Sequence, residues 1–341
     1  MPVSLIFACL SFILSFFLVF HVKNLALKLN LLATPNQRSA HRQPVPAIGG
    51  IGFILAFYIV IALSWENYFS YDIIFFKILI LTLPIAITGL WDDFRSINVF
   101  TRLSIQFVIA SLAYFWGFKI TIIELPYIML EVNWASYIVS VLFMIASSNL
   151  FNFIDGANGY LSGISLIAFS FIGILAFQNS LLSMAFLLLL LVSALVGFLC
   201  WNFPVAKIFM GDVGSCFLGF IFSLIAIKVD QSSTLSLTIP CFMFAVLFFD
   251  SILTICVRLF KKENITQAHK EHHYQQLLGC GFSHQTVSIF AYIQTLIYCA
   301  CLFYYPQLSK VNRLILLFSI SLWEISKYSW VYFYSQKHVK K

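Results

Sequence analysis

Repeated apolar segments dominate this sequence. Eleven runs are long enough to cross a lipid bilayer, which takes about 20 mostly apolar residues per helix, and they centre near residues 12, 56, 82, 109, 142, 169, 191, 220, 247, 296 and 323. Charged residues make up only 10% of the chain, against about 25% in soluble domains. We therefore expect an all-α, polytopic membrane protein with about eleven transmembrane helices in one integral membrane domain, residues 1–341.

The charges of the loops between these segments predict how the chain crosses the membrane. If the N-terminus lies outside, the cytoplasmic segments carry fourteen Lys and Arg residues and the outer segments carry four, with Lys77 and Lys327 inside spans. Cytoplasmic loops of membrane proteins have such an excess. We expect an outside N-terminus, a cytoplasmic C-terminus and a retained first helix, because no basic region precedes the run from Val3 to Val22.

Several features inside the apolar segments are interpreted as structural. The eight cysteines are scattered and form no Cys-x-x-Cys pair, so we expect small apolar side chains rather than disulfides or zinc ligands. Glu324 and Lys327 are three residues apart in the last segment and are predicted to form an ion pair. Asp250 lies within the ninth segment, where an ionisable residue usually faces a bundle interior or a cavity.

One polar stretch separates two apolar runs: Asn149-Leu-Phe-Asn152-Phe-Ile-Asp155-Gly156-Ala-Asn158-Gly159. Its first two Asn residues and its Asp are spaced by three, so a helical turn places them roughly on one face. Their oxygens suit a hard cation such as Mg²⁺, and the glycines can end the helix and let backbone approach a ligand. The alternative is a simple helix cap and turn, which accounts for one Asn and one Gly only.

Two more carboxylate motifs lie at predicted membrane boundaries. Asp92 and Asp93 are adjacent, and their mutual repulsion calls for a nearby cation or donor, which is Arg95 in a purely structural interpretation. Arg102, at the start of the fourth span, is placed for a phosphate or a headgroup. Asp212, in Met210-Gly-Asp-Val-Gly-Ser, either caps the eighth span or faces a ligand in a tight turn.

Two loops contribute cations. The loop after the first span holds Arg38 and His41 among prolines and glycines, which predicts either an anion-binding turn or an ordinary positively charged loop. The longest inner loop, residues 259–285, holds His269, His272 and His273. No Cys or obvious fourth ligand accompanies these imidazoles, so we interpret them as partners of an anionic substrate rather than as a zinc site.

All of these clusters fall on the predicted cytoplasmic side, although that orientation rests on Lys and Arg alone. A single site is therefore the economical interpretation. Its parts are oxygens suited to a metal, cations suited to an anion, and glycines that allow close backbone approach. The combination predicts a phosphorylated substrate.

The motifs together resemble one enzyme family. Pro46-Ala-Ile-Gly-Gly, Gly89-Leu-Trp-Asp-Asp, Asn149-x-x-Asn-x-x-Asp-Gly-x-Asn-Gly and Met210-Gly-Asp-x-Gly-Ser occur in this order, followed by the His-rich loop. From about Pro35 to His284 the chain resembles the polyprenyl-phosphate N-acetylhexosamine-1-phosphate transferases, of the glycosyltransferase family 4 type. Such enzymes transfer a sugar-1-phosphate from a UDP-sugar to a lipid phosphate and release UMP.

The resemblance implies roles for individual residues. It makes Asn152 and Asp212 the expected Mg²⁺ ligands, with Mn²⁺ as the alternative ion, and places Asp155 in or beside the metal's coordination shell. Asp92 and Asp93 match the family's acidic pair. We expect this pair to act by positioning, because a phosphomonoester with a second pKa near 6 is already largely dianionic near neutral pH. The expected catalytic residues are Asp92, Asp93, Asp155, His272 and His273; the expected substrate-binding residues are Arg38, His41, Arg102, Asn149, Asn158, Phe209, which would stack on uracil, and His269.

The histidine loop departs from the family's common His-x-His-His pattern. The corresponding window reads Lys270-Glu-His272-His273, with His269 just before it. This run, and Arg38-Ser-Ala-His41, look more like the branch that initiates O-antigen synthesis than like the phospho-MurNAc-pentapeptide translocases. That branch uses UDP-FucNAc or UDP-QuiNAc as well as UDP-GlcNAc.

The resulting expectation is an Mg²⁺-dependent phosphotransferase of the bacterial inner membrane with a cytoplasmic active site. Its expected partners are a UDP-N-acetylhexosamine, undecaprenyl phosphate, membrane lipid and a second copy in a homodimer, with no nucleic acid. Its product would initiate a lipid-linked glycan such as O-antigen. The rival hypothesis is a transporter of a phosphorylated or lipid-linked solute, but transporters place polar residues near mid-membrane, often within internal repeats.

Overall fold

The computed structural model describes residues 2–33, 44–69, 73–232, 235–263 and 270–338. Arg38, His41 and His269 lie outside the described residues. The helices in the described ranges are α1 Pro2–Lys28, α2 Gly50–Tyr68, α3 Ile73–Phe94, α4 Val99–Phe115, α5 Ser136–Ile154, α6 Tyr160–Gln178, α7 Leu182–Asn202, α8 Gly211–Gln231, α9 Thr238–Met243, α10 Ala245–Phe260, α11 His273–Gly279, α12 His284–Phe303 and α13 Lys310–His338.

Four short strands and one 3₁₀ turn, Tyr305–Gln307, complete the described chain. Strands β1 Leu32–Ala33 and β2 Val45–Pro46 pair antiparallel, as do β3 Ile122–Leu125 and β4 Ile128–Glu131. The second pair is a hairpin between α4 and α5.

The predicted all-α, polytopic membrane class is confirmed. Within the described residues, nine helices are long and apolar enough to cross a membrane. The helix α4 is apolar but shorter, and the predicted ninth span is divided at Phe244 into the short α9 and the 16-residue α10. Every predicted span centre lies within a helix. The count of eleven crossings and the orientation of the chain stay predictions.

The helix α8 lies at the centre of the bundle and packs against α2, α3 and α5. Small residues allow this close packing, as is common between membrane helices. A Cβ on Gly50 would lie 2.6 Å from the Cα of Gly214, and a Cβ on Gly219 would overlap the backbone of Ser147. These glycines therefore set how closely α2 and α5 approach α8.

The apolar core between α5, α8 and α10 is largely aromatic. The rings of Phe222 and Phe244 lie edge to face at 4.7 Å between centroids, and Phe151 contacts both. Phe248 extends the cluster along α10. This contact surface holds α10 against the end of α5.

Two structural predictions inside the helices are confirmed. Glu324 and Lys327 form an ion pair at 2.6 Å, and Gln294 and Tyr298 of α12 add hydrogen bonds to the same buried carboxylate. All eight cysteines are free.

The short connections 95–98, 155–159 and 203–210 lie at one end of the bundle, which we call the polar end. They follow α3, α5 and α7, which end there, and precede α4, α6 and α8, which begin there. The β3–β4 hairpin joins the opposite ends of α4 and α5.

Candidate active site

The carboxylate of Asp93 caps the first turn of α8. Its Oδ1 accepts the backbone N–H of Asp212 at 2.9 Å, and its Oδ2 accepts that of Val213 at 3.0 Å. A helix N-terminus carries unpaired N–H groups and partial positive charge, so a carboxylate there is doubly favoured. Gly211 has φ +75°, and a Cβ there would overlap the carbonyl of Ala47 and crowd Asp93. The turn therefore requires glycine.

Arg102 bridges two carboxylates from different helices. Its Nη1 lies 3.1 Å from Oδ2 of Asp92 and 3.7 Å from Oδ2 of Asp212. The other oxygen of Asp92 accepts the N–H of Ile97 at 2.8 Å. The donors to the acidic pair are thus Arg102 and backbone N–H groups. Within the described residues, Arg95 does not contact the pair.

Asn152 and Asp155 lie beside the same carboxylate. Asp212 interacts with the Asn152 side chain, whose Nδ2 also contacts Sγ of Cys216 at 3.3 Å. Asp155 ends α5, and burial, with a smaller contribution from the negative Asp212, raises the pKa of Asp155 from 3.8 to about 7. Around Asp212 there are therefore three further carboxylates and one guanidinium.

The donor set around Asp212 fits Mg²⁺. Among the described residues, no group of three or more His, Cys, Asp or Glu side chains is arranged to hold a metal ion by itself. Mg²⁺ instead uses one or two carboxylates and completes its octahedron with waters and substrate phosphates. The negative excess around Asp212, with the neutral side-chain amide of Asn152 beside it, matches that requirement.

The segment 45–50 holds Phe209 in place by backbone pairing. The N–H of Phe209 donates to the carbonyl of Pro46 at 2.7 Å, and its carbonyl accepts the N–H of Gly49 at 2.8 Å. Gly50 donates to the carbonyl of Met210 at 2.8 Å. The Pro46-Ala-Ile-Gly-Gly motif thus fixes the chain immediately before Asp212.

Asn202 connects two of the loops at the polar end. Its Oδ1 accepts the N–H of Gly159 at 2.9 Å and the hydroxyl of Ser162 at 3.2 Å, while its Nδ2 donates to the carbonyl of Ile208 at 2.9 Å. Asn158 lies in the same turn, and its Nδ2 donates to the carbonyl of Pro204 at 3.3 Å. Sequence reasoning missed Asn202, because a single Asn at a helix end carries no distinctive signal.

Asn149 is buried between α5 and α4. Its Nδ2 donates to Oε1 of Gln106 at 2.7 Å and to the carbonyl of Ile145 at 2.8 Å. Gln106 also reaches Ser148. These contacts hold α4, which carries Arg102, against α5. The contribution of Asn149 to substrate binding stays a prediction.

Asp250 anchors the histidine loop within the bundle, as its intramembrane position suggested. Its Oδ1 accepts the N–H of His273 at 2.8 Å and lies 3.4 Å from Nδ1 of His272. Arg258 fixes the beginning of the same loop through Glu271 and Glu263, each at 3.0 Å. Asp250 and Arg258 therefore both hold this loop.

The imidazole of His273 is buried in the helix bundle. Burial, and secondarily the positive Lys327, lower the pKa of His273 from 6.5 to about 3, so the ring is neutral. Its electrostatic neighbours are Lys327 and Asp250, which belong to α13 and α10 rather than to the carboxylates around Asp212. A catalytic role for His272 or His273 stays a prediction.

Tyr274 fits beneath the turn that carries Asp155. Its hydroxyl donates to the carbonyl of Phe153 at 3.4 Å, and its ring lies 5.2 Å from that of Tyr160. A Cβ on Gly156 would overlap the tyrosine hydroxyl. Burial raises the pKa of Tyr274 well above its usual range. Sequence reasoning did not single out Tyr274, although it lies within the His-rich run.

This chain is similar in sequence to several known transferases. The model of glycosyl transferase family 4 matches residues 75–230. A probable undecaprenyl-phosphate N-acetylglucosaminyl 1-phosphate transferase of Bacillus subtilis is 29% identical over 276 residues, 80% of this chain and 76% of that protein. An undecaprenyl-phosphate alpha-N-acetylglucosaminyl 1-phosphate transferase of Thermotoga maritima is 27% identical over 324 residues, 88% of this chain and 97% of that protein. A phospho-N-acetylmuramoyl-pentapeptide-transferase of Bacillus pumilus is 28% identical over 256 residues, 71% and 78% of the two chains.

The fold and these relatives define a multi-pass membrane enzyme that transfers a phospho-sugar. The matches support the polyprenyl-phosphate N-acetylhexosamine-1-phosphate transferase family, to which the motifs pointed. The same relatives favour the enzyme over the transporter hypothesis.

Proposed function

We propose that the protein transfers an N-acetylhexosamine-1-phosphate from a UDP-sugar to undecaprenyl phosphate and releases UMP. The observation that carries this proposal is the grouping of Asp92, Asn152, Asp155 and Asp212 with Arg102 at one end of a membrane bundle. A site at a helix-bundle end is accessible both to a lipid phosphate in the membrane and to a water-soluble nucleotide sugar. The names of the relatives support the lipid acceptor.

Both substrates are anionic, and so is the site. Two phosphate groups cannot approach several carboxylates unless a cation offsets the repulsion. Asp212 and Asn152 would hold Mg²⁺ or Mn²⁺, which supplies charge neutralisation and orientation of the diphosphate when bound. Arg102 adds a fixed positive charge, and its buried Nε makes no hydrogen bond within the described part of the chain.

The contacts of Asp92 and Asp93 support a positioning role for the acidic pair. All four of their carboxylate oxygens already accept backbone N–H groups or Arg102. A lipid phosphomonoester is largely dianionic near neutral pH and needs little help from a base. Asp93 therefore holds the Asp212 turn, and Asp92 holds Arg102.

Asp155 is the carboxylate of the group that is most available for substrate. Its side chain makes no hydrogen bond among the described residues, and its raised pKa of about 7 lets it hold or release a proton near neutral pH. In our proposal it contacts the reacting phosphates. Phe209 and Asn158, on the two loops that Asn202 joins, bind the uridine.

We place the reaction on the cytoplasmic face of the bacterial inner membrane, where the product begins a lipid-linked cell-envelope glycan. O-antigen is the pathway that the histidine loop favours, and GlcNAc is the first sugar to test because the relatives are named for it.

The test is to incubate purified protein with undecaprenyl phosphate, Mg²⁺ and UDP-GlcNAc, UDP-FucNAc or UDP-QuiNAc, and to assay UMP and the lipid product. The Asp212→Asn variant is the matched control. UMP release that needs both undecaprenyl phosphate and an intact Asp212 supports the proposal. Absence of UMP release with the whole panel would refute it.

A further inference from the structure

The β3–β4 hairpin exposes a cluster of large apolar side chains. All four residues of β4 are exposed, so this strand has no buried face. Met129 is 66% exposed, and Trp134, three residues after the end of the strand, is 89% exposed. The cluster consists of Tyr127, Ile128, Met129, Leu130 and Trp134. A patch of this kind on a soluble surface marks an interaction site.

The hairpin is held rigidly against the bundle. The carbonyl of Glu124 in β3 accepts the hydroxyl of Thr238 at 2.6 Å, next to α9. The backbone N–H of Ile120 donates to the hydroxyl of Ser140 at 2.8 Å. Below the strands, the N–H of Val132 donates to the carbonyl of Thr121 at 2.8 Å. The apolar cluster is therefore presented in a fixed direction.

The hairpin lies at the end of the helix bundle that is opposite the polar end. It joins the end of α4 to the start of α5, and it lies opposite the polar end, where the same two helices carry Arg102 and Asn152. Phe115 at the end of α4 is 73% exposed and Ile138 at the start of α5 is 56% exposed. The apolar cluster thus continues the bilayer-facing surfaces of the two helices that it joins.

We propose that this hairpin is a membrane anchor that lies in the interfacial region of the lipid leaflet opposite the polar end. Trp and Tyr are enriched at this depth because their rings are apolar and their N–H and O–H groups are polar. Ile128, Met129 and Leu130 enter the acyl boundary beside them. The anchor sets the depth of α4 and α5 in the bilayer.

Two other occupants compete for the same surface. A second copy could pair with the open edge of β4, since an unpaired strand edge is a template for another strand. Water alone could cover the cluster if the hairpin projected away from the bilayer. The continuity with Phe115 and Ile138 favours lipid over both.

The experiment reconstitutes the full chain in nanodiscs of phosphatidylcholine with or without bromine in the acyl chains. Emission of Trp134 is obtained as the difference between the wild-type protein and Trp134→Phe. The reference is Trp330→Phe, because Trp330 is 58% exposed on α13. We expect Trp134 emission to be shifted to short wavelength, to lose intensity in brominated lipid and to be insensitive to iodide.

Emission at long wavelength that iodide quenches would overturn the proposal in favour of water. Emission insensitive to both quenchers, and dependent on the number of chains per nanodisc, would overturn it in favour of a second copy. A Met129→Ser/Leu130→Ser variant adds a second test. It should keep its thermal unfolding temperature while Trp134 becomes less sensitive to brominated lipid; unchanged sensitivity would contradict the anchor.

Discussion

Both carboxylate oxygens of Asp93 accept hydrogen bonds from the first turn of the helix that contains Asp212, at 2.9 Å and 3.0 Å. The side chain that resembles a catalytic base is thus fully used in fixing the direction of another carboxylate. This cap joins the end of α3 to the first turn of α8. The acidic pair and the proposed metal-binding turn therefore form one mechanical unit.

Asp93→Asn should destabilise the protein and slow turnover without changing the shape of the pH–rate profile. The amide has one acceptor oxygen, so one N–H of the α8 turn loses its partner, at a cost of about 1–3 kcal/mol. Thermal unfolding in detergent and UMP release across pH measure the two effects. Asp92→Asn is the comparison, since it keeps an acceptor for the Ile97 N–H and weakens the contact with Arg102 instead of the cap of α8. An acid limb that vanishes in Asp93→Asn would show that Asp93 acts as a base.

Asp212→Asn should abolish most turnover while leaving the fold intact. Asparagine supports a helix N-terminus about as well as aspartate, but it removes the negative charge that faces the proposed cation. We expect the Mg²⁺ concentration for half-maximal rate to rise by at least about 10-fold. A titration of UMP release with Mg²⁺ measures this shift. A stable variant with wild-type turnover and wild-type Mg²⁺ dependence would contradict the ligand assignment.

Gly156→Ala should inactivate the enzyme, and Tyr274→Phe should partly restore it. The added methyl group overlaps the hydroxyl of Tyr274, which is buried and cannot move aside. Overpacking of this kind costs about 1–3 kcal/mol. Tyr274→Phe alone removes one long hydrogen bond to Phe153 and should have a small effect. A double-mutant cycle compares UMP release and unfolding temperature in the two single variants and in the double variant. If the losses in the double variant were the sum of those in the single variants, direct contact between the added methyl group and Tyr274 would be contradicted.

The stability of the protein should fall in mild acid because of His273. Its pKa is about 3 in the folded protein, against 6.5 for an ordinary histidine. Between these values the unfolded chain binds the extra proton, so the free energy of unfolding decreases as pH falls below about 6.5. The slope from this group is about 1.4 kcal/mol per pH unit.

His273→Gln should remove this part of the acid sensitivity. Unfolding temperatures in detergent between neutral and mildly acidic pH give the measurement. His21→Gln, at an exposed position of α1, is the matched control for loss of an imidazole. Equal acid sensitivity in the wild type and in His273→Gln would show that the ring is not buried in neutral form.

The sequence alone predicts the helices well, because each membrane span can be recognised from the length and the apolar content of one continuous segment. It does not predict the division at Phe244 or the short α4, since both parts of a divided span are equally apolar. The sequence did predict that Asp92, Asn152 and Asp212 lie near one another, because their loops were predicted to lie on the same side of the membrane. It did not predict which contacts each of these side chains makes.

The missing information lies in long-range contacts. Asp93 and the backbone of Asp212 are 119 positions apart, and Tyr274 and Phe153 are 121 apart. Neither pair has a local pattern that would reveal it, because the first depends on how α3 packs against α8 and the second on how α11 packs against α5. Asn202 is similar, since its three hydrogen bonds exist only after two loops have met.

The separation between Asp93 and Asp212 also matters for biogenesis. A nascent chain leaves the ribosome from its N-terminus, so α1 to α7 enter the membrane before the α8 turn exists. Until residue 212 emerges, Asp93 lacks both of its backbone donors, and Arg102 lacks the second of its two carboxylate partners. The backbone hydrogen bonds of Pro46 and Gly49 likewise form only after Phe209 has been synthesised. Assembly of the polar end is therefore a late event in synthesis, and a translation product truncated before α8 is a membrane protein without the Asp212 turn.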